Sequence, residues 1–188
     1  FKTHKFEIFT PNDLSFSYRK SKLQQMPEIF VTKIEIILNK NPQPNLSYKD
    51  LKNKFQDINP TLHEIRNTVL EIRDNKIPQP DKIGNAGSFF KNPICSKNEL
   101  EILTKKFPDI CFFQYSDDKF KISAAWLIEK AGWKGYREGD AGVSPNHSLI
   151  LVNYGNATGQ DILNLANKII ESVKNIFDIK LEPEVKIL

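Results

Sequence analysis

The sequence predicts an α+β fold, a mostly antiparallel sheet covered by helices on one side. Three observations lead there. Pairs of Ser or Thr with an acidic residue three positions later mark helix starts. Alternating or β-branched runs mark strands between them. Strands and helices then mix without the regular alternation that a parallel βαβ sheet requires.

In chain order, residues 5–10 alternate polar and apolar and predict a half-buried strand. Pro11-Asn12-Asp13 predicts a turn, and residues 14–27 are irregular and polar. Residues 28–38 are β-branched and predict a strand; the two prolines between Asn39 and Asn45 predict a loop. Ser47 with Asp50 opens a short helix. Thr61 with Glu64 opens a second, with Leu62, Ile65, Val69 and Ile72 at helical spacing up to about Lys76. Ser96 with Glu99 opens a third. Residues 123–131 form another, ended by Gly132. Thr158 with Asp161 opens the longest, its stripe formed by Ile162, Leu165, Ile169, Val173 and Ile176. Strands are predicted at 148–153 and 179–188. In the second, Leu181, Pro183, Val185 and Ile187 share one face, and Glu182, Glu184 and Lys186 the other.

Composition narrows the partners. With 188 residues the chain makes one domain with an appendage, or two small ones. The net charge of +4 comes from scattered lysines such as Lys49, Lys52, Lys54, Lys105 and Lys106, which read as a solvated surface. No nucleic-acid motif accompanies them. Cys95 and Cys111 read as buried free thiols, and His4, His63 and His147 are too far apart in sequence for a metal motif. There is no apolar run long enough for a membrane span. The start at Phe1 lacks both an initiator Met and an apolar signal core, so the chain reads as a fragment of a cytoplasmic protein.

The most unusual stretch is Gly84-Asn85-Ala86-Gly87-Ser88-Phe89-Phe90-Lys91-Asn92-Pro93. Its glycines allow a close backbone approach or positive φ just before a serine. It matches neither the GxSxG nucleophile elbow nor a P-loop, and composition alone leaves a glycine turn entering an aromatic strand equally open. Lys76 sits at a helix end, where it also suits the helix dipole. Glu182 and Glu184 point the same way, as a solvated strand face also would. His147 lies in a loop entering a strand.

Taken together, the serine stretch, Ala124-Ala125-Trp126-Leu127-Ile128-Glu129, the Trp133-Lys134-Gly135 turn, Ser148 to Asn153 and Leu181-Glu182-Pro183-Glu184-Val185 resemble the UDP-N-acetylenolpyruvoylglucosamine reductases, specifically their C-terminal substrate-binding domain. The resemblance implies a flavoenzyme that uses NADPH and FAD. It reduces UDP-N-acetylglucosamine enolpyruvate to UDP-N-acetylmuramate for peptidoglycan synthesis, with hydride from flavin N5. It implies Ser88 as proton donor and Glu184 beside the enolpyruvyl group, protonated through a burial-raised pKa if it donates to the enolate. It also implies Lys76 and Asn92 as contacts to the diphosphate and nucleotide. Tyr18 resembles the tyrosine of a loop, found in one subclass, that closes over the diphosphate. His147 takes a position where the family uses Gln or another polar substrate contact. Residues 1–20 are expected to be the tail of a flavin-binding domain and 21–188 the substrate domain. FAD is not expected to be held by this chain alone. A bacterial, cytoplasmic monomer follows, with no nucleic-acid or membrane partner. The alternative is a nucleotide-sugar binding module without chemistry.

Overall fold

A computed structural model describes residues 5–187. The chain divides into two compact units, Phe1–Asn45 and Leu46–Leu188.

The first unit is largely irregular. Thr10 caps a four-residue helix, α1 (Pro11–Leu14), through a reciprocal box with Asp13, where the sequence predicts a turn. A single 3-10 turn follows at Lys22–Gln25. Neither 5–10 nor 28–38 forms a strand among the described residues, which corrects both expectations. The reason is physical: β propensity reports fit to a pleated, half-buried surface, and a strand exists only in a ladder. No such surface meets Ile34, Ile36, Ile37 and Leu38, which are all exposed.

The second unit opens with α2 (Lys49–Lys54) and α3 (Leu62–Lys76), which pack together. Tyr48, not Ser47, caps α2, and no side chain closes that cap. Next come β1 (Gly84–Ser88), β2 (Ile94–Ser96), α4 (Lys97–Lys106), β3 (Phe112–Ser116), β4 (Lys119–Ile122) and α5 (Ala124–Lys130). The series ends with β5 (Arg137–Glu138), β6 (Ala141–Val143), β7 (Ile150–Asn153) and α6 (Gly159–Phe177). Every ladder is antiparallel, as expected, and the strands divide between two sheets, ordered β1-β7-β6-β5 and β2-β4-β3. α6 packs on β6 and β7, and α4 on β2 and β4. Phe90, Leu127, Ile128, Ile169, Val173 and Leu181 are central to the shared apolar core. Cys95 and Cys111 are free and only half-buried.

The segment from 179 is shorter in pairing than its alternation predicts. It makes one bridge, Phe90 to Pro183, and Leu188 lies outside the described residues. Pro183 lacks the N–H that a longer ladder needs.

The boxes at Thr61, Ser96 and Thr158 all form with both reciprocal bonds. Along α6, Phe177 rather than Ile176 completes the buried stripe, four residues after Val173. Thr158→Ala, which removes the cap of this longest helix, is expected to cost about 1 kcal/mol in urea unfolding. A midpoint equal to that of the wild type would show that the box contributes nothing.

Candidate functional site around the glycine cleft

β1 is a poor strand by composition, and its irregularity matters. Asn85 stands opposite Val152 and Ser88 opposite Ile150, so Ala86 and Gly87 together face only Leu151. This is a β-bulge, which bends a strand and re-aims the side chain that follows. Gly87 takes φ +71, and a Cβ added there would meet nothing within 4 Å. The glycine is therefore required for its backbone conformation, not for space. Asn85 locks the bulge. Its amide donates to the Pro78 and Ile83 carbonyls, both at 2.9 Å, and its oxygen accepts the Gly87 N–H at 3.0 Å. The bond to Pro78 ties the serine segment to the chain leaving α3. Between them lies a cleft of about 320 Å³ lined by Arg73, Ile77, Pro78, Asn85, Ala86 and Gly87, among others. Ser88, at the end of β1, is exposed.

Two expected site residues, Glu184 and His147, are joined by one chain of hydrogen bonds. The Glu184 N–H donates to the Phe89 carbonyl at 2.8 Å, and the Phe89 N–H donates to the Leu149 carbonyl at 2.8 Å. The Leu149 N–H donates to His147 Nδ1 at 3.2 Å. Glu184 and His147 are thereby held from either side of the residue that follows Ser88. Glu184 is half-buried, whereas Glu182 is exposed and pairs with Lys91 at 3.4 Å.

His147 is half-buried, and its pKa is pushed below the ordinary 6.5, first by burial and then by the charges of Lys76 and Lys134, with Glu129 opposing. Lys134 pairs with Glu129 at 3.1 Å. Lys76 bonds to the Asp50 carboxylate, donates to the Tyr48 hydroxyl at 3.1 Å and lies 5.2 Å from that ring's centre. Asp50 foremost holds the Lys76 ammonium above its ordinary 10.5, against the opposing effect of burial. Lys76 therefore stays charged throughout the physiological range and is fixed in place.

Asn92 lies four residues beyond Ser88. Its side-chain oxygen accepts the Ala124 N–H at 2.9 Å, at the start of α5. Tyr18 belongs to the first unit. It occupies a two-residue turn closed by reciprocal backbone bonds between Ser17 and Lys20, at 3.0 and 3.1 Å, with Arg19 at φ +55.

The sequence reading missed Tyr48, Asp50, Arg73, Glu129 and Lys134. Asp50 did carry a signal, spacing from Ser47 that suits a capping box. The cap forms elsewhere, and the carboxylate serves Lys76 instead. A contact across the α2–α3 pair leaves no local trace in sequence.

The C-terminal-domain model of the UDP-N-acetylenolpyruvoylglucosamine reductases matches residues 79–188, more than half of the chain. The chain belongs to the UDP-N-acetylenolpyruvoylglucosamine reductase family. The reductase of Flavobacterium johnsoniae is 43% identical across 99% of this chain and 57% of its own length. That of Xylella fastidiosa strain M12 is 40% identical across 98% of this chain and 54% of its own length. A crystal structure of the UDP-N-acetylenolpyruvylglucosamine reductase of Thermus caldophilus has a TM-score of 0.58 at 26% identity, covering 99% of this chain and 50% of that one. The chain thus spans about half the length of the reductases it matches. Ser88, Asn92, His147 and Glu184 fall within the C-terminal-domain match; Lys76 and Tyr18 precede it. No helix among the described residues is long and apolar enough to cross a membrane.

Proposed function

We propose that this chain is the substrate-side part of a flavoenzyme that reduces UDP-N-acetylglucosamine enolpyruvate to UDP-N-acetylmuramate, a step of peptidoglycan synthesis in the bacterial cytoplasm. The observation that carries the proposal is the arrangement around the glycine cleft. The Asn85 bond ties the segment of the exposed Ser88 to the chain that follows Lys76, and the Phe89 and Leu149 bonds hold the half-buried Glu184 and His147 to the same segment. In this proposal residues 1–20 are the tail of the flavin-binding part, 21–188 the substrate domain, and the enzyme works as a monomer.

In this proposal the flavin is held mainly outside this chain. The cleft of about 320 Å³ is at the lower limit of small-molecule sites, and Arg73 and Asp74 line it beside two prolines, Gly87 and the Asn85 amide. FAD, reduced by NADPH, supplies the hydride when bound in the complete enzyme.

This chain's own groups bind, orient and protonate. Lys76, a compact positive charge, and Asn92 contact the diphosphate and nucleotide. Ser88 holds the proton destined for the substrate carbon. A serine hydroxyl is a weak acid, so neighbouring donors must stabilise the alkoxide that remains. Glu184 lies against the enolpyruvyl carboxylate region, positioned by its own N–H on Phe89.

Titration calorimetry with UDP-N-acetylglucosamine tests the binding half of this proposal. Lys76→Ala should weaken binding about tenfold or more, the value of a charge-assisted hydrogen bond. Removing the ammonium also leaves the Asp50 carboxylate facing an anion. Unchanged affinity would remove Lys76 from the diphosphate site.

A further inference from the structure

We infer that Asn85 is a positioning residue for the proton-donating step: its side chain, bonded at once to the bulge and to the chain leaving α3, sets where the Ser88 hydroxyl points. The inference rests on the acid role proposed above for Ser88 and names the group that aims it.

Ser88 ends a strand whose other members, apart from Asn85, are Gly84, Ala86 and Gly87, which offer nothing beyond a methyl to brace it. Its direction is therefore a matter of backbone, and a bulge re-aims the side chain that follows. The ladder does not hold this bulge, because the register slips between Asn85 and Ser88. Gly87 stands at φ +71, a conformation that glycine is as free to leave as to adopt. What holds it there is the Asn85 side-chain oxygen, which accepts the Gly87 N–H at 3.0 Å. The amide end of the same side chain uses both of its N–H groups, on the Pro78 and Ile83 carbonyls at 2.9 Å. Pro78 follows Lys76 by two residues. The bulge is thus referenced to the helix end that carries the cation, and one half-buried side chain makes the whole connection.

Without that side chain Gly87 samples other conformations, and the hydroxyl after it moves as well. Lys76 stays where it is, because Asp50 and Tyr48 hold it independently. The signature is a slower proton transfer with little change in substrate affinity. A misplacement of about 1 Å at a reacting group can cost on the order of a hundredfold in rate.

The test is stopped-flow measurement of both half-reactions in the complete flavoenzyme. Asn85→Ala should be reduced by NADPH at the wild-type rate and reoxidised by the enolpyruvyl substrate about ten- to a hundredfold more slowly, with half-saturation at nearly the same substrate concentration. The double variant Asn85→Ala/Ser88→Ala should be no slower than Ser88→Ala alone, since nothing is left to aim. In Asn85→Ser a hydroxyl can take the Gly87 N–H, more weakly than the amide oxygen does, and reoxidation should fall between Asn85→Ala and the wild type. If Asn85→Ala does not fold, Asn85→Ser, several-fold slower than the wild type, carries the same comparisons. Wild-type reoxidation in these variants, equal slowing of both half-reactions, or a double variant slower than Ser88→Ala would overturn the positioning role and leave Ser88 as the acid. Wild-type reoxidation in Ser88→Ala would overturn both.

Discussion

Ser88→Ala in the complete flavoenzyme is expected to leave flavin reduction by NADPH intact and to slow reoxidation by the enolpyruvyl substrate about a hundred- to ten-thousand-fold. That range is the usual contribution of a positioned general acid. The separation of the two half-reactions is the decisive part. Loss of the hydroxyl removes a proton donor and leaves the hydride donor as it was, so a stopped-flow record of flavin absorbance should show one normal and one failing phase. A folding defect would not split them. Ser88 is exposed at the end of β1, so the substitution should change stability by less than about 0.5 kcal/mol. Reoxidation at the wild-type rate would take the acid role away from Ser88. The bulge gives a companion test. Gly87→Ala puts a Cβ at φ +71, where L-residues are strained, and should misdirect Ser88 while its hydroxyl remains.

Phe90→Ala has the largest expected effect on stability, about 3–5 kcal/mol in denaturant unfolding, comparable to the loss from other buried Phe truncations. Phe90 is 1% exposed and lies edge-on to Phe89, 5.1 Å between ring centres. It is also the residue that bridges Pro183. The cavity would open directly beneath the pairing that holds Glu184, so the variant should lose substrate affinity even at temperatures where it remains folded. Phe113→Ala is the control. That ring is 54% exposed, and its removal should cost well under 1 kcal/mol. A loss of less than about 1 kcal/mol for Phe90→Ala would mean that the core collapses around the gap.

The helices were legible because their signals are local. Thr61, Ser96 and Thr158 each announce a helix with a partner three residues on, and each forms both bonds. Strands were less legible because a ladder partner is remote. Residues 28–38 have the richest β composition and form no strand, while Gly84 to Ser88 has almost none and pairs with β7. The short β2, β5 and β6 left no pattern long enough to read. In the site, Ser88, Glu184, Lys76 and His147 stood out through resemblance rather than periodicity. The structure ties Glu184 and His147 to the serine segment by backbone bonds, and adds the Asp50 and Tyr48 partners of Lys76 that no short-range spacing reveals.

The run of bonds from Glu184 through Phe89 and Leu149 to His147 uses peptide N–H and C=O groups everywhere except at the imidazole. Peptide groups are supplied by every residue type apart from the N–H that proline lacks. Positions 89 and 149 are therefore free to drift in side chain, within the limits of packing, without loosening the spacing of the groups they connect. For an engineer, the side chain at Leu149 can be exchanged for another apolar one while the framework keeps its register. Proline at 89, 149 or 184 is the change that framework does not tolerate.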